Sequence, residues 1–240
     1  TVLTGFLPQA RVLDVHNCAI HFVAPNVISM GAATVLVGGL PASRISDKTF
    51  CAADISSGEP TVLIGGVTVT FPFNIKGDLA FVKDVQAAMA TLYSTRTGRK
   101  IIDDIAASGN TVTIVPETDP NGYCTPDNGT DARSPGGTSS TVAWNPTYSS
   151  PTDTAQTPTI VLGHELVHAH HNATGTAHDG PHDSYPGQSG SSDRGEERAT
   201  VGVGGTSVVA PDGTTQTVPD HSADVPTENS LRDDLGVPRR

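Results

Sequence analysis

The stretch "VLGHELVHAHHNATG", residues 161–175, contains four of the nine histidines of the chain and one glutamate. We predict that it lies in a helix running from Thr159 to Asn172. On such a helix His164 and His168 are one turn apart and project from the same face. Two imidazoles in this arrangement can bind one metal ion at about 2.0–2.1 Å. The His-Glu-x-x-His spacing therefore predicts a zinc site on this helix.

Glu165 is the predicted catalytic residue of this site. It lies one position round the helix from the metal-binding face, which brings its carboxylate near a water on the metal, where it can act as general base. Leu162, Leu166 and Ala169 fall on the opposite side of the helix, so an apolar face can be buried while the histidines face a cleft.

The other two histidines of the stretch are not predicted ligands. His171 is seven residues after His164, about 10 Å further along the helix axis, which is too far for both to bind one ion easily. His170 points away from the metal-binding face. We expect each of them either to contact a metal ligand without binding the metal itself or to lie at the surface.

The third ligand must come from elsewhere in the chain. The metzincin pattern requires a glycine where His171 stands and a histidine where Thr174 stands, so that class is excluded. A downstream glutamate is the alternative, and "GEERATVG" offers two. We favour Glu197, with Glu196 as the alternative, because sequence spacing does not give the phase of the helix that carries them.

Two histidines further along, His178 and His182, are additional candidate ligands. They lie in residues 173–195, a polar segment with almost no aliphatic side chains. A segment of this kind beside a site is typical of a functional rim. His178, His182 or Tyr185 is also expected to stabilise the oxyanion, and the sequence does not choose among them.

The composition excludes several other functions. With 14 Lys and Arg against 25 Asp and Glu, the net charge is −11. This argues against nucleic acid and against an anionic membrane surface as partners. We find no run of 18 apolar residues, so no membrane insertion is expected, and the first residues lack the features of a signal peptide. Three cysteines cannot form a fully paired disulfide framework.

The first third of the chain contains internal repeats. "LPQARVLDVHNC" (7–18) aligns with "LPASRISDKTFC" (40–51), and "GAATVLVGGLP" (31–41) aligns with "GEPTVLIGGVT" (58–68). Each unit of the second pair is predicted to be a short strand closed by Gly-Gly. The region is therefore predicted to consist of β-hairpins around one core.

The segments "ARVLDVHNC" and "SRISDKTFC" and the two predicted strands "TVLVGG" and "TVLIGG" resemble PAAR-type proteins. These are the β-rich cones at the tip of type VI secretion spikes. The resemblance covers roughly residues 5–70 and implies a spike protein of the VgrG type as partner. It also implies a second, structural zinc, for which the candidate ligands are His16, Cys18, His21 and Cys51. The alternative is that these are two buried free thiols and two surface histidines.

The remainder of the chain predicts a mixed domain. Its elements are an amphipathic helix from residue 77 ended by the glycine of "STRTG", a second helix at "KIIDDIAAS", strands at 110–116 and 140–146, a loop over 117–140, and helices near 195–203 and in 226–240. The fold class predicted is α+β. We divide the chain into a PAAR-like β domain (1–75) and a zincin-type metallopeptidase domain (76–240).

The blocks "STVAWNP", "IVLGHELVHAHH", "EERATVG" and "TENSLRDDLGVPRR" together resemble the zincin effector proteases of bacteria, the NleD-like group. The resemblance covers roughly residues 100–240. It implies that zinc is held by His164, His168 and a glutamate of the "EERATVG" block, with Glu165 as base. It further implies that Glu228, Asn229 and Arg232 shape the site from the tail, mainly in a structural role.

The leading functional hypothesis is a zinc metallopeptidase that hydrolyses peptide bonds in a protein or peptide substrate. The two resemblances jointly imply an effector delivered by a type VI secretion spike into a bacterial or host cell, with an immunity protein in the producer. One alternative is a structural spike-tip or adaptor protein whose HExxH site is vestigial. Another is a zinc amidase acting on peptidoglycan.

Overall fold

The computed structural model describes residues 2–18, 26–118, 122–148, 150, 153–178, 194–209, 215–218 and 220–240. It confirms the predicted α+β class, with a β-rich N-terminal part and a mixed C-terminal part. No helix in the described ranges has the length and apolar character needed to cross a bilayer.

The N-terminal part is made of short antiparallel strands. Two hairpin-like pairs, β1–β2 and β3–β4, accompany a three-stranded sheet in the order β6-β5-β7. The bounds are β1 Leu3–Thr4, β2 Leu7–Pro8, β3 Val15–His16, β4 Asn26–Val27, β5 Met30–Val37, β6 Leu40–Ala42 and β7 Thr68–Thr70.

The repeat seen in the sequence is a repeat of one backbone corner. The amide of Arg11 donates to Asp14 Oδ2 at 3.0 Å, and the amide of Arg44 donates to Asp47 Oδ2 at 2.8 Å. In both copies the arginine Nε also donates to the same aspartate. The residue before each aspartate has a positive φ, 68° and 74° respectively. The side-chain bonds thus hold the same tight turn twice.

One predicted strand of this region is wrong. Residues 61–66, "TVLIGG", were expected to form a strand like residues 34–39, but no strand is found there. The side chain of Leu63 is 93% exposed. A strand needs a neighbouring strand for its backbone hydrogen bonds. Among the described residues, no strand pairs with this segment.

The C-terminal part places helices against a four-stranded sheet in the order β10-β11-β9-β8. Strands β8, β9 and β11 are parallel, and β10 is an antiparallel edge strand. A separate hairpin, β12–β13, follows α4. The bounds are β8 Phe73–Ile75, α1 Leu79–Ser94, α2 Arg96–Ser108, β9 Val112–Pro116, β10 Tyr123–Pro126, β11 Ser140–Trp144, α3 Pro158–Thr174, α4 Arg194–Val201, β12 Thr206–Val209, β13 Thr215–Val218 and α5 Glu228–Leu235.

Two details differ from the predictions for this part. Helix α1 ends at Ser94 and α2 begins at Arg96, with Thr95 between them. Gly98, which was predicted to end the first helix, lies inside α2. Thr95 Oγ1 accepts from the Gly98 amide at 2.8 Å, so the threonine caps α2 and makes the break. The segment 117–140, expected to be a loop, contains strand β10 and a 3₁₀ turn at Asp131–Arg133.

One hydrophobic core runs through both parts. Val12, Leu13 and Leu40 belong to the same buried cluster as Phe73 and Trp144. Strand β8, which ends at Ile75, pairs with β9 of the C-terminal sheet. The domain boundary between residues 75 and 76 stays a prediction. Strand β8, which lies just before it, belongs to the sheet of the C-terminal part.

Candidate metal centre

Helix α3 is the central helix of the C-terminal part and carries the predicted site. It begins after Thr157, whose Oγ1 accepts from the Ile160 amide at 3.3 Å, with Pro158 in the first turn. It ends at Gly175, which has a φ of 72°. Because α3 packs against the sheet and the other helices, most of its side chains are buried, including His164 and Glu165.

Three donor groups converge on one point beside this helix. Nε2 of His164 and Nε2 of His168 are 3.2 Å apart. Glu197, on α4, places Oε1 3.1 Å from His168 Nε2 and Oε2 3.3 Å from His164 Nε2. The structure thus brings the two histidines of α3 together with the favoured glutamate, in an arrangement compatible with a bound metal ion.

The other ring nitrogen of each histidine contacts a different carboxylate. His164 Nδ1 lies 2.8 Å from Glu228 Oε2. His168 Nδ1 lies 3.1 Å from Glu196 Oε1. A neutral imidazole that donates its Nδ1–H to a carboxylate has its lone pair on Nε2. The Nε2 lone pairs and the Glu197 carboxylate then face one another, which is favourable when a cation lies between them.

Glu228, the carboxylate behind His164, is anchored by a buried arginine. Arg232 Nε donates to Glu228 Oε1 at 2.6 Å, and both side chains are 1% exposed. Arg232 also donates to Asp153 Oδ2 at 3.0 Å and to the carbonyl of Pro238 at 2.9 Å. The predicted supporting residue Arg232 therefore reaches the cluster through Glu228, with which it forms a buried ion pair.

Glu196 is held in a similar way behind His168. Its Oε1 accepts from His171 Nδ1, 2.6 Å away, and its Oε2 accepts from the His178 amide at 2.7 Å. Thr200 Oγ1 lies 3.3 Å from the same carboxylate. The two neighbouring glutamates of α4 thus occupy different positions, with Glu197 on the Nε2 side of His168 and Glu196 on its Nδ1 side.

The pKa values of the cluster reflect this concentration of carboxylates. Burial lowers the pKa of His164, but hydrogen bonds with Glu197 and Glu228 outweigh it and raise that pKa to about 9. Burial likewise lowers the pKa of His168, and Glu196 and Glu197 raise it to about 10. The histidines in turn outweigh the burial of Glu196 and Glu197 and hold both pKa values below the ordinary range. The surrounding carboxylates therefore favour a positive charge at this position, which a metal ion bound between neutral imidazoles would also supply.

Glu165 is placed differently from the other carboxylates. It is 5% exposed, and burial raises its pKa, with His164 and His168 opposing the shift. A cleft of about 270 Å³ opens beside it, lined by Gly122, Gln156, Ile160, Val161, His164, Glu165, Glu197, Glu228 and Arg240. A carboxyl group with a raised pKa in such a cleft is suited to accept and return a proton.

Gly122 leads into the edge strand β10 and lies directly against Glu165. A Cβ at this position would be 2.9 Å from Glu165 Cγ and 3.1 Å from the carbonyl oxygen of Ala143. Sequence patterns did not predict this glycine at the site, because it lies in the segment interpreted as a loop.

The C-terminal part of the chain matches a known protein family. The Peptidase M91 model, described as "Effector protein", matches residues 70–240, more than two thirds of the 240-residue chain. The chain belongs to this family. The match supports a peptidase and covers all the residues of the cluster on α3, α4 and α5. No curated protein matches the chain.

A PAAR motif model matches residues 1–55 and again 27–72. The two overlapping matches span the two arginine–aspartate corners described above. Both resemblances predicted from the sequence, the PAAR motif and the effector peptidase, are therefore confirmed. The chain combines an N-terminal PAAR motif with a C-terminal domain of an effector peptidase family.

The PAAR part of this M91 member contains a second group of metal-binding residue types. His16, Cys18 and Cys51 offer ligand atoms that all lie within 4.8 Å of one another, and His16 Nε2 is 3.5 Å from Cys51 Sγ. Burial raises the pKa of Cys51, but hydrogen bonds with Cys18, His16 and Thr49 outweigh it and lower that pKa to about 6. The fourth candidate, His21, lies outside the described residues.

The remaining predicted positions around the M91 site divide into two groups. His170 and His171 are both buried, so neither lies at the surface: His170 Nε2 contacts Asp104 of α2 at 2.8 Å, and His171 contacts Glu196. The ring of His178 lies against those of His171 and His221. His182 and Tyr185 lie outside the described residues.

Proposed function

We propose that the M91 domain is a zinc-dependent peptidase. The observation that carries this proposal is the convergence of His164, His168 and Glu197 beside the buried Glu165. Ligands bound to zinc at about 2.0–2.1 Å in a tetrahedron are about 3.3 Å apart. The donor atoms here are separated by 3.1–3.3 Å. Two imidazoles and one carboxylate are also the donor set of many catalytic zinc sites.

Zinc held by His164, His168 and Glu197 would supply Lewis-acid activation of a water molecule and of the scissile carbonyl. Glu165 accepts the proton of the attacking water and returns it to the leaving amine. Its burial raises its affinity for the proton, so that it can hold the proton between the two steps. Glu228 and Glu196 fix the ring orientations of His164 and His168 and keep their Nε2 atoms directed toward each other and toward Glu197, where the metal would be held.

The PAAR part is proposed to deliver this peptidase on a type VI secretion spike of the VgrG type, into a bacterial or host cell. The N-terminal part exposes several large apolar side chains, including Leu3, Phe6, Leu7 and Leu63, with exposed fractions of 58–97%. A groove of about 690 Å³ runs between the N-terminal strands and residues 55–64. Exposed apolar surface of this extent is typical of a protein interface. An immunity protein in the producing cell follows from the proposed role.

A second zinc ion is proposed at His16, Cys18 and Cys51, with His21 as a further candidate ligand. Cysteine and histidine ligands are typical of closed structural zinc sites. The hydrogen bonds that lower the pKa of Cys51 support a thiolate, the form that binds zinc. This ion would stabilise the turns at which both repeats end.

The test of the proposed peptidase is the Glu165→Gln variant of the full chain. We expect wild-type protein loaded with zinc to cleave peptides from a randomised library, and Glu165→Gln to bind the same amount of zinc with at least a hundredfold lower rate. Zinc content measured alongside separates loss of the base from loss of the metal. Unchanged cleavage by the variant would remove Glu165 from the mechanism. A wild-type chain that binds zinc at both sites but cleaves no peptide would instead favour the vestigial-site alternative.

A further inference from the structure

Arg240 lines the cleft beside the reacting groups. It shares that cleft with His164, Glu165 and Glu197. Of the described residues that line the cleft, it is the only lysine or arginine, whereas three of the others are glutamates. A group that enters the cleft with a negative charge therefore meets three carboxylates, and Arg240 is the one lysine or arginine of the described lining that attracts it.

The backbone of Arg240 is fixed by a buried asparagine. Asn229 Oδ1 accepts from the Arg240 amide at 2.7 Å, and its Nδ2 donates to the Arg240 carbonyl at 3.4 Å. The same Nδ2 donates to the Gly202 carbonyl at 3.2 Å. Asn229 is 4% exposed and lies on α5, and Gly202 follows α4. Arg240 is thus tied to the two helices that carry Glu228 and Glu197.

The guanidinium of Arg240 is available to an external ligand. Its Nη1 is 3.5 Å from Glu228 Oε2, and the side chain is 51% exposed. Glu228 is already bound more closely by Arg232 and His164, at 2.6 and 2.8 Å. No hydrogen bond joins the Arg240 guanidinium to any other residue that the structure describes. The neighbouring Arg239 differs, since its Nε donates to Asp233 at 2.9 Å.

We propose that Arg240 binds a carboxylate of the substrate close to the scissile bond. This inference rests on the proposed peptidase function and gives it a substrate class, namely acidic peptides. The planar guanidinium donates two parallel hydrogen bonds to a carboxylate. The carboxylate comes either from an Asp or Glu side chain or from the end of a peptide chain. A singly charged carboxylate suits the acidic cleft better than a phosphate dianion, which the surrounding glutamates repel more strongly.

The first experiment measures cleavage by the zinc-loaded full chain. Matched peptides carry Glu, Gln or Lys at each position next to the cleaved bond, with either a free or an amidated C-terminus. We expect the wild type to prefer Glu over Gln at one position by roughly tenfold or more in kcat/KM. Arg240→Gln should remove the preference, mainly through KM, and Arg240→Glu should transfer it to Lys. Arg239→Gln is the matched control and should keep the wild-type preference.

The second experiment measures binding without cleavage. Zinc-loaded Glu165→Gln protein, with and without Arg240→Gln, is immobilised and exposed to a randomised decapeptide library, and the bound peptides are sequenced. Enrichment of Asp, Glu or a free C-terminus that depends on Arg240 supports the inference, and the amidated peptides distinguish the two sources of carboxylate.

Each remaining outcome contradicts either the proposed role of Arg240 or the proposed peptidase function. Binding with no acidic enrichment overturns the inference, whatever the activity. A fall in kcat of equal size for all peptides in Arg240→Gln also overturns it, because it indicates an oxyanion contact instead. Enrichment of acidic peptides by a chain whose wild type cleaves none of them contradicts the proposed peptidase alone.

Discussion

Glu196 lies 3.1 Å from Nδ1 of His168, on the side of the imidazole that faces away from His164. Glu197, the next residue, contacts Nε2 of the same ring. Nε2 of His168 therefore faces the candidate metal position, and Nδ1 contacts the Glu196 carboxylate, which orients the ring. The two adjacent glutamates of α4 thus have different roles in the proposed site.

We predict that Glu197→Gln and Glu196→Gln weaken zinc binding to different extents. Loss of a ligand should lower zinc affinity at this site by more than a hundredfold, whereas loss of the partner of a ligand costs about 10–100-fold. Competition with a chromophoric chelator measures both. Asp233→Asn, at an exposed position of α5, is the control. A larger effect for Glu196→Gln than for Glu197→Gln would reverse the assignment.

Two independent metal sites are expected in the chain. Wild-type protein should contain two zinc ions, and His168→Ala and Cys51→Ala should each lose one, as measured by elemental analysis. The two clusters lie on different elements, α3 with α4 in one case and the N-terminal turns in the other. Two ions retained in both variants would contradict both sites.

Arg232→Met should destabilise the fold strongly. The variant leaves the Glu228 carboxylate buried without its cation, and breaking a buried pair in this way costs about 3–5 kcal/mol in the free energy of unfolding. Urea denaturation measures the loss. The double variant Glu228→Gln/Arg232→Met should recover part of it, because no fully buried carboxylate is then left without its cation, Asp153 being partly exposed. A double variant less stable than the single one would show that the pair is not coupled in this way.

Gly175→Ala should cost more stability than Gly109→Ala. Both glycines end helices with positive φ, 72° and 78°, so both variants carry the cost of about 1–2 kcal/mol for an L-residue in that conformation. A Cβ at Gly175 would also lie 1.8 Å from the Ser134 carbonyl oxygen, whereas nothing lies within 4 Å of one at Gly109. Thermal denaturation of the two variants compares them directly. Equal losses would mean that the loop at Ser134 moves aside freely.

Phe6→Asp and Leu63→Asp should reduce binding to the spike without affecting the fold. These side chains are 97% and 93% exposed, so their replacement removes apolar surface available to a partner and little internal packing. Binding to a purified VgrG-type spike protein of the producing bacterium, measured by interferometry, should weaken at least tenfold. The melting temperature should stay unchanged. Lys83→Asp, at an exposed position of α1, should bind normally.

Local sequence patterns were sufficient to predict the five helices that the structure describes and strands β9 and β11, whereas β8, β10, β12 and β13 were not predicted. The spacing of His164 and His168 placed both on one face of a helix, and Pro158 and Gly175 mark its ends because their backbone preferences suit those positions. The repeated arginine–aspartate corners are also local, since each turn is closed by a side chain three residues away. The strand predicted at 61–66 was wrong because strand formation depends on a neighbour that the local sequence does not contain.

The sequence by itself determined the two families, the α+β class, and the positions of His164, Glu165 and His168, because each of these depends on residues close together in the chain. Only the tertiary structure placed Glu197 and Glu196 on opposite sides of His168, since the phase of α4 relative to α3 depends on packing between helices far apart in sequence. The same holds for Glu228 behind His164 and for Arg240 in the cleft, which lie 64 and 76 residues further along the chain than His164. Contacts at such distances are fixed by the shape of the whole core, which no short stretch of sequence encodes.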